Sequence, residues 1–317
     1  MSRSFILSVV AIAALISCRS VLAQRVPPAL ADKIAVETDV EYGKAGERSL
    51  KLDVIRPKQE SPEPRPCIVW IHGGGWQNGN KSSGTQRLGA LVSSGDYVGV
   101  SVGYRLTDVA SWPAQIHDCK AAIRWVRANA KKYNINPDKM GVWGSSAGGH
   151  LVSLLGTSGD VAELEGENGT PGVSSRVTCV VDFCGPSDFL AFGKSNPRLN
   201  DPGSPVFKLL GGPLADKQDA ASRASPVTYV TKDDPPFLIM HGTQDNTVHI
   251  SQAERLTAKT KEAGVNVTFV KIDGGGHGFG GEEVNARVKA FLEKHLLGKD
   301  VTVSGESIKA PPMAEKK

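Results

Sequence analysis

The chain is short of several things, and each shortage narrows the field. It has 5 cysteines in 317 residues, and none forms a CxxC or a Cys/His pair at metal-ligand spacing. A disulfide framework and a zinc module are therefore not expected. No block of basic residues stands out, and 37 basic against 33 acidic residues leave a formal charge of only +4. Nucleic acid is not an expected partner. There is no G-x-x-x-x-G-K-[ST] and no G-x-G-x-x-G opening a helix, so nucleotide phosphates have no evident cradle. Internal repeats and low-complexity tracts are missing. Outside the N-terminus no apolar run approaches the length of a membrane span.

What remains is 40% hydrophobic and 22% charged, an ordinary globular composition. The length suits one large α/β domain plus termini. Residues 1–23 read as an export signal. Arg3 gives the positive start, residues 5–16 the apolar stretch, and Val21-Leu22-Ala23 a cleavage site before Gln24. A competing reading takes Leu15-Ile16-Ser17-Cys18 as a lipobox, with Cys18 lipidated and the protein held at a membrane. An uncleaved anchor is the third alternative. Residues 24–297 are expected to be the catalytic domain and 298–317 a loose polar tail. Residues 57–66 form a Pro-rich loop. Export would place Cys67, Cys119, Cys179 and Cys184 in an oxidising compartment. They sit within apolar runs, and buried free thiols are expected.

Residues 36–42 and 50–55 alternate apolar with polar positions around a GKAGE turn, which predicts an antiparallel hairpin at a sheet edge. From Cys67 onward the pattern changes. Short continuous apolar runs at 67–71, 97–102, 139–143, 177–183, 237–240 and 267–272 suit parallel strands covered on both faces. Helical stripes lie between them: a helix over 113–132 with Pro113 in its first turn, a weaker one over 253–263, and one near 284–292. This alternation predicts a doubly wound α/β fold with an antiparallel start.

Gly144-Ser145-Ser146-Ala147-Gly148 is a G-x-S-x-G between the strand at 139–143 and an apolar helical stretch, the setting of a nucleophile elbow. Such a turn lifts Ser146 Oγ above the sheet and leaves N–H groups at a helix N-terminus for developing negative charge. His72-Gly73-Gly74-Gly75-Trp76 follows the strand at 67–71. Three consecutive glycines let backbone N–H groups approach a reacting oxygen, so Gly74, Gly75 and Ala147 are the expected oxyanion donors. A serine hydroxyl needs a base held by an acid. His277 stands on a glycine loop after the last strand, and Asp245 follows the strand at 237–240. Ser146, Asp245 and His277 occur in the chain order of the α/β hydrolases. Asp188 is the next-best acid. His117, His150 and His295 fall in helices, His72 belongs to the glycine loop, and structural roles are expected for His241 and His249.

These pieces carry a family resemblance. HGGGW at 72–76, SVGYRL at 101–106, DCKAAIRWVRANA from Asp118, GSSAGGH at 144–150, HGTQDNTV at 241–248 and GGGHGF at 274–279 resemble α/β-hydrolase esterases. The bacterial acetylxylan/feruloyl-esterase-like and hormone-sensitive-lipase-like groups are the most similar, over about residues 36–296. The resemblance implies an α/β-hydrolase fold: a mostly parallel, twisted sheet of about eight strands with helices on both faces and a small insertion as cap. It implies a serine carboxylesterase that forms an acyl-enzyme and requires no metal or organic cofactor. The substrate would be a small-molecule or polysaccharide-linked ester, with acetyl or feruloyl groups on plant polysaccharide in view. A lipase, an arylformamidase, a serine peptidase or a noncatalytic module on the same fold are the alternatives. One departure is Gly103, where the resemblance leads one to expect an acid before Tyr-Arg-Leu.

Trp76 and Tyr104 are candidate substrate-pocket walls. Tyr104 packing under the glycine loop is an equal alternative. A histidine base must be neutral, which predicts activity that falls on the acid side. Residues 188–235 are the candidate cover of the site. Their prolines, glycines and few apolar residues exclude one long helix and a deep acyl tunnel, which predicts preference for acetyl to butyryl esters.

Overall fold

A computed structural model describes residues 26–159 and 161–310. The proposed signal segment, with Cys18, and residues 311–317 of the expected tail lie outside the described residues. Nine strands form one sheet in the order β1-β2-β4-β3-β5-β6-β7-β8-β9. The elements are β1 (Ile34–Ala45), β2 (Arg48–Pro57), β3 (Arg65–Ile71), α1 (Ser83–Val92), β4 (Val98–Val102), α2 (Ala114–Ala128), α3 (Ala130–Tyr133), β5 (Ile135–Ser145) and α4 (Ala147–Thr157). After them come β6 (Cys179–Phe183), α5 (Phe189–Ser195), α6 (Pro205–Leu210), α7 (Gln218–Arg223), β7 (Phe237–Gly242), α8 (Ser251–Glu262), β8 (Val267–Asp273), α9 (Glu282–Leu296) and β9 (Ile308–Lys309).

β1 and β2 pair antiparallel, and β2 joins β4 antiparallel. From β4 to β9 every pairing is parallel. The period-2 pleat explains why the central strands read as unbroken apolar runs. On β3, Cys67, Val69 and Ile71 face one core while Ile68 and Trp70 face the other. Ile116, Cys119, Ile123 and Val126 of α2, with Leu151 and Leu155 of α4, cover the first. Leu88 of α1 and Val284, Val288 and Phe291 of α9 cover the second. Cys67, Cys119, Cys179 and Cys184 are buried, and no disulfide joins them among the described residues.

Two expectations need correction. The helix expected over 113–132 is interrupted at Asn129, which leaves helical geometry at φ −100°, ψ 12° while its backbone N–H and its side-chain amide both donate to the Trp125 carbonyl at 2.9 Å. Pro113 caps that helix rather than standing inside it. The expected loose tail is docked over residues 298–310. Ile308 is buried, β9 pairs with the edge of β8, and Ser307 Oγ donates to Asp273 Oδ2 at 2.7 Å. A two-residue strand with one apolar anchor gives no periodicity to read, hence nine strands rather than about eight. Residues 188–235 fold as short pieces: α5, α6, α7 and 3-10 turns at Pro197–Asn200 and Pro226–Thr228. Among the described residues no helix is long and apolar enough to cross a membrane.

Candidate active site

The site lies at the C-terminal ends of β3, β5, β7 and β8. β5 ends at Ser145 and α4 begins at Ala147, so the chain must reverse at a single residue. Ser146 does this at φ 57°, ψ −121°, a conformation costly for any residue with a Cβ. The flanking glycines follow from sterics. A Cβ on Gly144 would strike the Gly148 carbonyl, and one on Gly148 would strike the Ile71 carbonyl. The Ser146 N–H donates to the Phe183 carbonyl at 2.7 Å, pinning the turn to β6.

Ser146 Oγ lies 2.8 Å from His277 Nε2, and His277 Nδ1 lies 2.8 Å from Asp245 Oδ2. The Thr247 and Val248 N–H groups donate to Asp245 Oδ1 at 2.8 and 2.9 Å. Burial pushes the Asp245 carboxyl up. The hydrogen bonds from His241, His277 and the Val248 N–H outweigh it and hold the carboxyl below the ordinary range. Asp188, the alternative acid, instead caps α5 by accepting from the Ala191 N–H at 2.9 Å.

The glycine loop presses on the elbow. A Cβ on Gly73 would lie 2.7 Å from the Ser145 carbonyl. Gly74, Gly75 and Trp76 have φ of 113°, 59° and 56°. Gly75 and Ser146 share the lining of one cleft, and Ala147 is the first residue of α4, where an N–H has no intrahelical acceptor.

Trp76 borders that cleft, but its indole N–H points away and donates to His150 Nδ1 at 3.1 Å. The proton of His150 is therefore on Nε2, which donates to the Ala224 carbonyl at 2.7 Å. Burial pushes His150 down to about 4, so the ring stays neutral. Tyr104 does not line the cleft at Ser146, which corrects one of its two readings. Its ring stacks on His72 at 4.4 Å and its hydroxyl donates to the His72 carbonyl at 3.0 Å, under the glycine loop. Its aromatic character in a motif next to the site did not tell which side it faces. At Gly103, where the resemblance implied an acid, a Cβ would lie a tight 3.0 Å from the Lys51 carbonyl. Asp118 of α2 supplies the local carboxylate, gripping Arg105 through Nε at 2.8 Å and Nη2 at 2.7 Å.

The cleft over Ser146 measures about 460 Å³. Pro186, Phe192, Leu199, Val206 and Val248 make its apolar wall, and Arg198 stands among the polar lining residues. Most of that wall comes from the insertion. A larger cleft of about 580 Å³ lies between α1 and α9, where Arg87 covers Trp70 and Trp143, and touches no residue of the relay. Among the described residues, Cys184, Asp245 and His277 alone bring three metal-ligating atoms together. They suit a cation poorly. Burial pushes the Cys184 thiol up, and the other two are hydrogen-bonded to each other.

Parallel sheet, strained serine elbow and buried Asp–His–Ser relay together define an α/β hydrolase. The BD-FAE family profile matches residues 52–260, and the chain belongs to that family. It is similar to esterase LipC of Mycobacterium tuberculosis, 32% identical over 72% of this chain and 56% of LipC. Esterase LipQ of the same organism is 30% identical over 83% of this chain and 62% of LipQ. The chain thus spans little more than half the length of these curated relatives. Among solved structures, a truncated carbohydrate esterase from gut microbiota superposes with a TM-score of 0.77 at 33% identity, covering 84% of this chain and 98% of that one. Esterase Est2 of Thermogutta terrifontis, with propionate bound, superposes with a TM-score of 0.64 at 27% identity, covering 84% and 93%.

Proposed function

We propose that the protein is a serine carboxylesterase for short-acyl esters, with acyl groups on carbohydrate as its substrate class. The observation that carries this is the Ser146–His277–Asp245 relay, 2.8 Å at each step, opening onto a small apolar cleft. Ser146 Oγ attacks the ester carbonyl while His277 Nε2 takes its proton. Asp245 keeps the other proton of the ring on Nδ1. The carbonyl oxygen becomes an oxyanion that accepts from the N–H groups of Ala147, Gly75 and Gly74. The tetrahedral intermediate collapses, His277 returns its proton to the departing alkoxide, and the acyl group stays on Ser146. Water, deprotonated by the same imidazole, then releases the acid. None of these steps routes through a metal or organic cofactor.

The short-acyl preference rests on the shallow roof, built of α5, α6 and the turn at Pro197–Asn200. The carbohydrate context is supported by the likeness to the gut carbohydrate esterase. Export, by cleavage after Ala23 or lipidation at Cys18, is proposed from residues 1–23 alone.

The test compares wild type with Ser146→Ala on p-nitrophenyl acetate, then on acetylated xylan, methyl ferulate, tributyrin and N-formylkynurenine. Wild type should release acetate fastest and the variant should be inert. The organophosphate paraoxon phosphorylates Est2 of T. terrifontis. Here it should add one phosphoryl mass to wild type and none to the variant. Equal turnover by the two proteins would sink the site assignment.

A further inference from the structure

We propose that His241 is a positioning residue that shares Asp245 Oδ2 with His277 and thereby sets the pH at which the relay works. The inference rests on the serine-esterase reading and adds a second histidine behind its acid. His241 stands near the end of β7 and is fully buried. Its Nε2 lies 2.7 Å from the Val248 carbonyl and 3.2 Å from Asp245 Oδ2. Both neighbours are acceptors, so Nε2 must carry a proton.

The carboxylate of Asp245 is then saturated. Oδ1 accepts from two backbone N–H groups, Oδ2 accepts from His277 Nδ1, and the Nε2–H that His241 gives to the Val248 carbonyl stands 3.2 Å from the same Oδ2. Val248 closes the arrangement, because its N–H holds Oδ1 while its carbonyl holds His241. The loop of His277 is packed onto the next residue: a Cβ on Gly242 would strike the carbonyls of Gly275 and Gly276. His241 therefore fixes the acid from behind while the same strand end fixes the base.

The second donor has a further effect. It competes with His277 Nδ1 for Oδ2, and without it that oxygen would serve one ring. The other groups that face this cluster do not replace it. Asp182 of β6 is buried and accepts from Ser153 Oγ and the Gly185 N–H, each at 2.9 Å. Cys184 carries a thiol that burial keeps protonated. Lys271, the register partner of His241 on β8, is turned to solvent and pairs with Glu254 at 2.9 Å. His241 Nδ1 is buried without a hydrogen bond among the described residues. A bare acceptor there is tolerable, whereas a second proton would be a buried unpaired donor on a cation.

The experiment is the pH profile of kcat/KM for p-nitrophenyl acetate in full-length wild type, His241→Gln and His241→Asn. A glutamine amide reaches the place of Nε2; an asparagine amide falls short. His241→Gln should keep the wild-type acid limb. His241→Asn should move that limb up by about half a pH unit or more. It should also lower kcat roughly tenfold with KM little changed. A fall in kcat with an unmoved limb in His241→Asn would show a merely structural residue and overturn the proposal. Should neither variant fold, wild type with ¹⁵N-labelled histidine decides it by the ring's tautomer. Nε2 protonated at neutral pH supports the proposal, and a neutral Nδ1–H tautomer overturns it. Ser146→Ala is run alongside, since turnover persisting there would remove the underlying reading instead.

Discussion

The elbow at Ser146 and the insertion that roofs it, residues 188–235, are built in opposite ways. In the elbow the backbone leaves no slack. Gly144, Gly148 and Gly149 each lie where an added Cβ would strike a carbonyl or the Asp182 carboxylate. The insertion is made of separate short pieces. Asp188 caps α5, Ser204 caps α6, and Gly203 between them has open space around it. Its contact with the core is through buried apolar side chains spread over those pieces, among them Phe189, Phe192, Val206 and Leu209. The chemistry is thus fixed by sterics that tolerate almost no change. The covering surface is held by local caps and apolar contacts that can be altered one at a time. The proposed reaction would be hard to lose gradually, while its acyl preference would be easy to tune.

One methyl group added to each of the two regions should separate them most clearly. Gly148→Ala puts a Cβ against the Ile71 carbonyl, in the strand that carries the glycine loop. Neither β3 nor α4 can yield without opening the sheet. The expected cost exceeds about 3 kcal/mol of stability. The kcat/KM for p-nitrophenyl acetate should fall more than about a hundredfold in whatever folds, because the oxyanion donors move. Gly203→Ala should change thermal stability by no more than about 0.5 kcal/mol. Paired thermal melts and initial rates check both. Similar losses in the two variants would mean that the roof is as tightly specified as the elbow.

The same contrast governs how much of the molecule is legible in its sequence. The elbow, the glycine loop, Asp245 and His277 are legible because steep steric demands leave glycines in fixed places beside strand ends. The doubly wound core is legible because strands buried on both faces must be continuously apolar. Four things were not legible. β9 has Ile308 as its one buried apolar side chain. The break at Asn129 is one residue leaving helical geometry inside an otherwise good helix. The direction of Tyr104 and the second bond of Asp245, from His241, depend on which way rings point after the sheet has formed, and a linear motif does not encode that.

A smaller effect is expected inside the roof. Leu199 sits in the turn at Pro197–Asn200, nearly buried, against the cleft. Leu199→Ala should cost about 2 kcal/mol of stability, at the low end for a core leucine because the site opens to solvent. It should also lengthen the space available to an acyl chain. Each extra methylene that becomes buried contributes about 0.8 kcal/mol, roughly a fourfold gain in kcat/KM. A series of p-nitrophenyl esters from acetate to octanoate should therefore shift toward longer chains, with the acetate rate little changed. An unshifted series would place the acyl chain elsewhere and detach the roof from specificity.

The smallest effect concerns the far end of the insertion, where its tuning is electrostatic. Asp234 accepts from the Thr231 N–H at 3.1 Å and from Thr231 Oγ1 at 3.0 Å. Burial nevertheless pushes its carboxyl up to about 6, against those hydrogen bonds and against Arg176. A carboxyl raised in the folded state binds its proton more tightly there than in the unfolded chain. Its favourable contribution is fully present below the ordinary carboxylate pKa, near ~3.9, and is lost as pH rises through about 6. At neutral pH the ionised group therefore weighs against folding. Asp234→Asn removes the charge but keeps one amide oxygen for Thr231. Solvent around this half-buried group screens the effect, so the expected gain at pH 7 is no more than about 1 kcal/mol. That gain should shrink from pH 6 downward and vanish near pH 4, a window that denaturant melts at pH 4, 5, 6 and 7 resolve. A variant less stable than wild type at pH 7 would mean that the two bonds to Thr231 outweigh the burial of the charge. The insertion would then share the elbow's intolerance at its far end.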